Sequence, residues 1–304
     1  MAVDSGPGAM PVFAKLTIRV VDVNDNSPLI VVNALTGSSI AEVREHVDLP
    51  GTFVAHITAS DTDTAQNGQT HCHLDADDRF RLEPLIDSGE YKITTTTTFD
   101  REETDQYSIH LMCQDGGSPS RSATATIVVR VTDINDCSPQ LPSDLVRVSL
   151  VENNPPSTVL TTVNATDHDV GVNAQLRYSL APIVGTDHRL TIDPDSGVVS
   201  TNWTFDYEQG PNDLLFLVTV TDGGEPARSA TATLQLTVTD SNDNRPRFDR
   251  QMYHVTVPED APVGTSVGRV NATDDDVTPR FSHVIYALSE LSDSFKVCLV
   301  ASSC

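Results

Sequence analysis

The sequence predicts an all-β fold, built as tandem antiparallel Greek-key sandwiches of the immunoglobulin-like kind, each with roughly seven short strands in about 110 residues. Three observations predict it. Apolar and polar residues alternate with a period of two, as in Tyr107, Ile109, Leu111 and Cys113 against Ser108, His110 and Gln114, which marks a strand with one buried face. The motif Asp-x-Asn-Asp-x-x-Pro follows such a strand three times, with first aspartates at 22, 133 and 240 and hence a period of 111 and then 107 residues, the size of one small domain. An Asp-Gly-Gly turn precedes the last strand in both whole periods, at Asp115-Gly116-Gly117 and Asp222-Gly223-Gly224.

This periodicity sets the expected domains. Residues 1–27 form the C-terminal part of a repeat, 28–138 and 139–245 two whole repeats, and 246–304 a partial repeat whose pattern is lost from about residue 289. A hydrophobic content of 38% supports several small cores rather than one large one. The 43 acidic residues against 19 basic give a net charge of −24, which argues against nucleic acid and makes cations the natural partners. Residues 1–30 lack the apolar run of a signal peptide, and no stretch approaches the ~18 consecutive apolar residues of a membrane span. The chain therefore reads as an internal piece of something longer.

Taken in order, Leu16, Ile18 and Val20 alternate and predict a strand ahead of the first linker. In the first whole repeat strands are expected over Thr52–Ala59, Tyr91–Thr98, Tyr107–Cys113 and Ala123–Val131. In the second, Leu214, Phe216, Val218 and Val220 match the alternating strand of the first, and Leu234, Leu236 and Val238 lead into the third linker. A single Asp-x-Asn-Asp-x-x-Pro would be only a turn. Three copies at domain spacing make it a junction between domains.

The acids are not scattered as a solvated face would allow. Glu45, Asp61, Asp63, Asn67, Asp100, Glu102 and Asp115 in the first repeat recur in the second as Glu152, Asp167, Asp169, Asn173, Asp206, Glu208 and Asp222. All are oxygen donors, with no thiol or imidazole among them. That suits a hard cation taking ~6–8 oxygens, calcium above all, and excludes zinc or copper by ligand type. An EF-hand fails on spacing, because the twelfth position counted from Asp61 is Cys72 and from Asp167 is Tyr178. The pair Asp100 and Glu102 has the look of a glycosidase dyad, but repetition in each domain is wrong for an active site, so no enzyme is expected.

In this order, these residues resemble the extracellular repeats of cadherins over residues 1 to about 288, most closely those of a protocadherin or of a Fat or Dachsous type. The matching elements are Glu45, Glu152 and Glu259 of the first strand, the Asp-x-Asp pairs, Asp100-Arg101-Glu102, the Asp-Gly-Gly aspartates and the linkers. The resemblance implies that the end of one repeat, the linker and the start of the next share three calcium ions, so that a junction stiffens only when calcium is bound. It assigns to the first junction Asp22, Asn24, Asp25, Asn26, Asp61, Asp63, Asn67 and Asp115. The middle one takes Glu45, Asp100, Glu102, Asp133, the Ile134 carbonyl, Asn135, Asp136, Asp167, Asp169, Asn173 and Asp222, with Cys137 in place of an Asn whose backbone carbonyl is what the family uses. The last takes Glu152, Asp206, Glu208, Asp240, Asn242, Asp243, Asn244, Asp274 and Asp276, with Tyr207 in place of Arg and Phe281 about where Asn is expected.

The function implied is calcium-dependent, homophilic cell–cell adhesion by an ectodomain whose parent is anchored in the plasma membrane and faces another cadherin ectodomain, the same or related, on an adjacent cell. A structural tether or signalling receptor built on the same rod is the alternative, and calcium-stabilised modules of a secreted enzyme are a more distant one. Cys72 and Cys113 lie in neighbouring strands of such a sandwich and suit either a disulfide or two small buried hydrophobes. Cys298 and Cys304 fall in the unpatterned tail. The sequons at Asn164, Asn202 and Asn271 fit an extracellular surface, and the nine histidines, with no HExxH motif or repeated pairing, read as ordinary surface residues.

Overall fold

The structure is a computed structural model. It describes residues 1–3, 5–37, 40–75, 78–86, 89–184, 188–288 and 294–297. The chain divides into two compact units, Met1–Ile134 and Asn135–Cys304. Among the described residues all regular structure is β, and no helix is long and apolar enough to cross a membrane.

The first unit holds β1 (Leu29–Ala34), β2 (Ile40–Arg44), β3 (Phe53–Ser60), β4 (Thr70–Leu74), β5 (Phe80–Ile86), β6 (Glu90–Thr95), β7 (Gln106–Asp115) and β8 (Ser122–Thr132). They form two four-stranded sheets, β1-β3-β6-β5 and β2-β8-β7-β4. All pairings are antiparallel except β2 with β8, because the entering chain pairs first with β3 as β1 and then crosses to the opposite sheet as β2. Each strand turns its alternate apolar residues inward. Ile57, Ile93, Ile109, Leu111, Ile127 and Val129 are fully buried, and Phe80, Phe99 and Tyr107 close one end with ring centroids 5.2–6.1 Å apart. Burying each such aliphatic is worth about 1.5–3 kcal/mol.

The second unit repeats the plan with β9 (Leu145–Val151), β10 (Val159–Thr162), β11 (Arg177–Pro182), β12 (Leu190–Ile192), β13 (Val198–Thr201), β14 (Asp213–Thr221) and β15 (Ser229–Thr239) in sheets β11-β14-β15-β9 and β10-β13-β12. Phe216, Val218, Val220, Leu234 and Leu236 form its centre. Beyond the linker, among the described residues, only β16 (Arg247–Phe248) and β17 (Ala272–Thr273) pair.

The strands expected at 52–59, 107–113 and 123–131 are β3, β7 and β8, and that at 91–98 is β6, which stops at Thr95. Leu16–Val20 is not a strand. Leu16, Ile18 and Val20 are exposed, and before β1 the described residues form only an isolated Ala2–Val12 bridge. Alternation makes a strand only where a ladder partner and a covering sheet exist, and no described segment supplies them. Between Cys72 and Cys113 the structure settles the two open readings. These residues are directly opposed on β4 and β7 and form a disulfide. Cys298 and Cys304 lie outside the described residues, as does most of the tail from 289.

Candidate metal centre

The linker after β15 lies within the second unit, so its whole residue set can be followed. Glu152, just past the end of β9, is buried and accepts from Tyr207 N at 2.6 Å with one oxygen and from Ser241 N at 2.7 Å with the other. The turn after β13 curls around Asp206, whose Oδ1 accepts from the backbone of Glu208 and Gln209. Asp240 accepts from Thr278 N at 2.6 Å, Asn244 donates from both its backbone and side chain to Asp276 Oδ1, and Asp276 N in turn donates to Asp274 Oδ1. The result is two adjoining clusters, Glu152–Asp206–Glu208 and Glu208–Asp240–Asp276, each with ligand oxygens within 4.8 Å of one another.

The same local frame recurs in the first unit. Glu45, fully buried, accepts from Arg101 N at 2.7 Å and Ile134 N at 2.8 Å, and Glu45, Asp100 and Glu102 form the matching cluster. Arg101 adds a feature that the motif alone does not convey, because its guanidinium bridges Asp133 and Glu102. Tyr207 occupies that position in the second unit and brings no charge.

The receiving half of the set occurs in each unit. In the first, Asn26 N donates to Asp63 at 3.0 Å, Asp63 N to Asp61 Oδ1 at 3.0 Å, and Thr64 N and Asn67 Nδ2 both to Asp22 Oδ2 at 3.0 Å. In the second, Cys137 N donates to Asp169 at 3.2 Å and Asp169 N to Asp167, so the main chain makes this contact whatever the side chain at 137. Asn24 and Asn135 donate to the Pro119 and Pro226 carbonyls beside Asp115 and Asp222. The second glycine of Asp-Gly-Gly makes room for them, since a Cβ on Gly117 or Gly224 would come within 2.2 Å of the Asn side chain.

What marks these clusters as more than turn chemistry is the state of their oxygens. Asn24 Oδ1, Asp61 Oδ2, Asp115 Oδ2, Asn135 Oδ1, Asp167 Oδ2, Glu208 Oε1, Asp240 Oδ1 and Asp276 Oδ2 are buried without a hydrogen-bond donor. An unsatisfied buried acceptor costs about 1–3 kcal/mol, more when charged, so the arrangement calls for a cation. The donor set, carboxylate and amide oxygens only, fits calcium.

Not every expected ligand joins a cluster. Asn242 is exposed, since no Asp-Gly-Gly turn follows it to dock its amide, and Asp25 is exposed, accepting from Asn26 Nδ2 and hydrogen-bonded to Asp63. Glu259 is exposed and outside any strand. Phe281 stands where Asn67 reaches Asp22 in the first unit, and only the Thr278 amide reaches Asp240. Asn173 sits half-buried in the turn before β11, whereas Asp136 does join a cluster, with an oxygen within 4.8 Å of ligand atoms of Cys137 and Asp169. The sequence does not signal the residue after each buried glutamate. His46 (φ 48°) and Asn153 (φ 59°) both adopt left-handed backbone, and Asn153 Nδ2 donates to Asp243 at 2.6 Å.

Burial and the neighbouring Glu45 push the Glu102 carboxyl up to about 7, and burial with Glu152 does the same to Glu208. A carboxyl whose folded value lies above its unfolded one binds its proton more tightly in the folded state, so stability is present below about 4.5 and lost as pH rises through about 7. With calcium chelated, each unit is therefore expected to be more resistant to denaturant at about pH 5 than at about pH 8. Equal midpoints at the two values would contradict this reading.

A family model, the Cadherin domain, matches residues 40–132 and 147–239, which cover the first sandwich from β2 to β8 and nearly all of the second. The chain belongs to the cadherin family. Protocadherin-18 of Homo sapiens is 35% identical over 302 residues, covering 95% of this chain and 26% of the relative. Protein dachsous of Drosophila melanogaster is 35% identical over 278 residues, covering 91% of this chain and 8% of the relative. The cadherin chain thus spans 26% and 8% of the length of these relatives. Among solved structures, protocadherin gamma B2 extracellular cadherin domains 3–6 match at 31% identity and a TM-score of 0.70, covering 84% of this chain and 62% of the other. The protocadherin gammaB7 EC3-6 cis-dimer structure matches at 31% and 0.69, covering 84% and 61%. The chain is a cadherin ectodomain segment of the protocadherin and Dachsous type, consistent with a part in cell adhesion.

Proposed function

We propose that this chain is a calcium-stiffened segment of an adhesive ectodomain that binds a like or related cadherin ectodomain on an adjacent cell, its parent being held at the plasma membrane with these repeats outside. We also propose the domain bounds 28–138 and 139–245, the calcium ligands named from the sequence, and the absence of catalysis. The observation that carries the calcium reading is the set of buried carboxylate and amide oxygens left without donors at each linker. In the second unit one such cluster joins Glu208 of the sandwich, Asp240 of the linker and Asp276 beyond it. Like charges ~4 Å apart cost on the order of 4 kcal/mol at an effective dielectric near 20, so without a cation these three segments repel, and with one they are held together. Calcium then holds sandwich, linker and the segment beyond it together.

Adhesion itself is tested with beads coated with the full parent ectodomain. Aggregation is expected in calcium and dispersal in chelator. Beads that stay dispersed in calcium would overturn the homophilic part of the reading, and beads that aggregate equally in chelator would overturn its calcium dependence.

A further inference from the structure

The outer face of the sheet β2-β8-β7-β4 in the first unit carries a second, chemically different group of ligands. Cys72, in the middle of β4, points inward and is tied to Cys113, which fixes the register of this edge strand. His71 and His73, on either side of it, therefore project outward and are exposed. Asp75 continues the same face, and its backbone N–H donates to the His110 carbonyl at 2.9 Å, which places Asp75 opposite His110 on β7. His110 is exposed as well, its Nδ1 turned to Thr126 Oγ1 at 3.2 Å. The side chains of His71 and His73 make no hydrogen bond or ion pair among the described residues.

We propose that His73, Asp75 and His110 form a binding site for an imidazole-seeking divalent transition-metal ion of the zinc and copper class, distinct from the oxygen-only clusters at the linkers. Opposed residues on an antiparallel pair have Cβ atoms ~4.5–5.5 Å apart, and same-face neighbours along a strand are ~6.7 Å apart. Three exposed side chains at the corners of such a triangle can converge on an ion with ~2.0–2.2 Å bonds by changing rotamer. Two imidazoles and a carboxylate suit zinc or copper and not calcium, which takes oxygen. The fold does not require histidine there. In the second unit the same register positions carry Arg177, Ser179, Ala181 and Leu217, with Ala181 opposed to Leu217 as Asp75 is to His110. The fourth coordination position faces solvent.

The test is calorimetric titration of the whole chain with zinc in saturating calcium, which keeps the linker oxygens occupied. One zinc per chain is expected, weakened about 10-fold or more by His73→Ala and by His110→Ala, and unchanged by His56→Ala, on β3 of the other sheet. Copper(II) should broaden the imidazole proton resonances of His73 and His110 ahead of those of the other histidines. Parent-like zinc binding by His110→Ala would overturn the cross-strand site in favour of a simple His71–His73 pair. No zinc uptake at millimolar concentration would overturn any site on this face.

Discussion

Replacing Glu152 by Ala is expected to lower the calcium affinity of the second unit's linker by at least two to three orders of magnitude, since a carboxylate ~4 Å from even a single positive charge gains about 4 kcal/mol at an effective dielectric near 20. Glu152 is also the anchor of the frame, because its two oxygens hold the Tyr207 and Ser241 amides and so position Asp206, Glu208 and Asp240. Glu152→Gln separates the two roles. It removes the charge and keeps one carbonyl to accept, but its NH2 then faces the second backbone N–H, so it is expected to weaken calcium while costing the ion-free unit less than Glu152→Ala does, its repulsion with Glu208 being relieved. Glu45→Ala should do the same in the first unit, where Glu45 holds the Arg101 and Ile134 amides. Calcium titration by equilibrium dialysis checks all three variants. If Glu152→Ala bound calcium as the parent does, the assignment of these oxygens as ligands would be wrong.

Removing the disulfide should produce the other large effect. Cys72 and Cys113 are 41 positions apart in the sequence, and in the chain-entropy description opening such a loop costs about 4 kcal/mol through the unfolded state. The double replacement Cys72→Ala with Cys113→Ala is expected to destabilise the first unit by about that amount, with a smaller addition for the space left at the fully buried Cys113. The second unit has Tyr178 opposite Val220 in the corresponding places and should be untouched. The chain's lone tryptophan, Trp203, lies in the second unit, so its fluorescence follows that unit while far-ultraviolet circular dichroism follows both. An unchanged first transition in denaturant would show that the bridge contributes nothing to stability.

Much of this was legible in the residues because it is local. The alternation in Tyr107–Cys113 and Leu214–Val220 sets which side chains of β7 and β14 face inward, and a period of two allows no other register once one face is covered. The Asp-Gly-Gly turns were legible because only glycine lets Asn24 and Asn135 approach so closely. The ligand chemistry was legible because oxygen-only donors recur at fixed offsets.

What the sequence by itself determined is therefore the repeat, its two-sided strands and the kind of ion its acids suit. Only the tertiary structure decided which of these became real contacts. Leu16–Val20 has the alternation of a strand and no partner to pair with, Asn242 has the motif position of Asn24 and no turn to dock against, and Cys72 needed the register of β4 on β7 to meet Cys113. It also decided which oxygens lost their water, as at Glu208, Asp240 and Asp276. The reason is that periodicity and residue type belong to a stretch of chain, whereas pairing, burial and the loss of solvent depend on segments ~30–90 residues away, whose entropic cost of approach is repaid only when the whole sandwich closes.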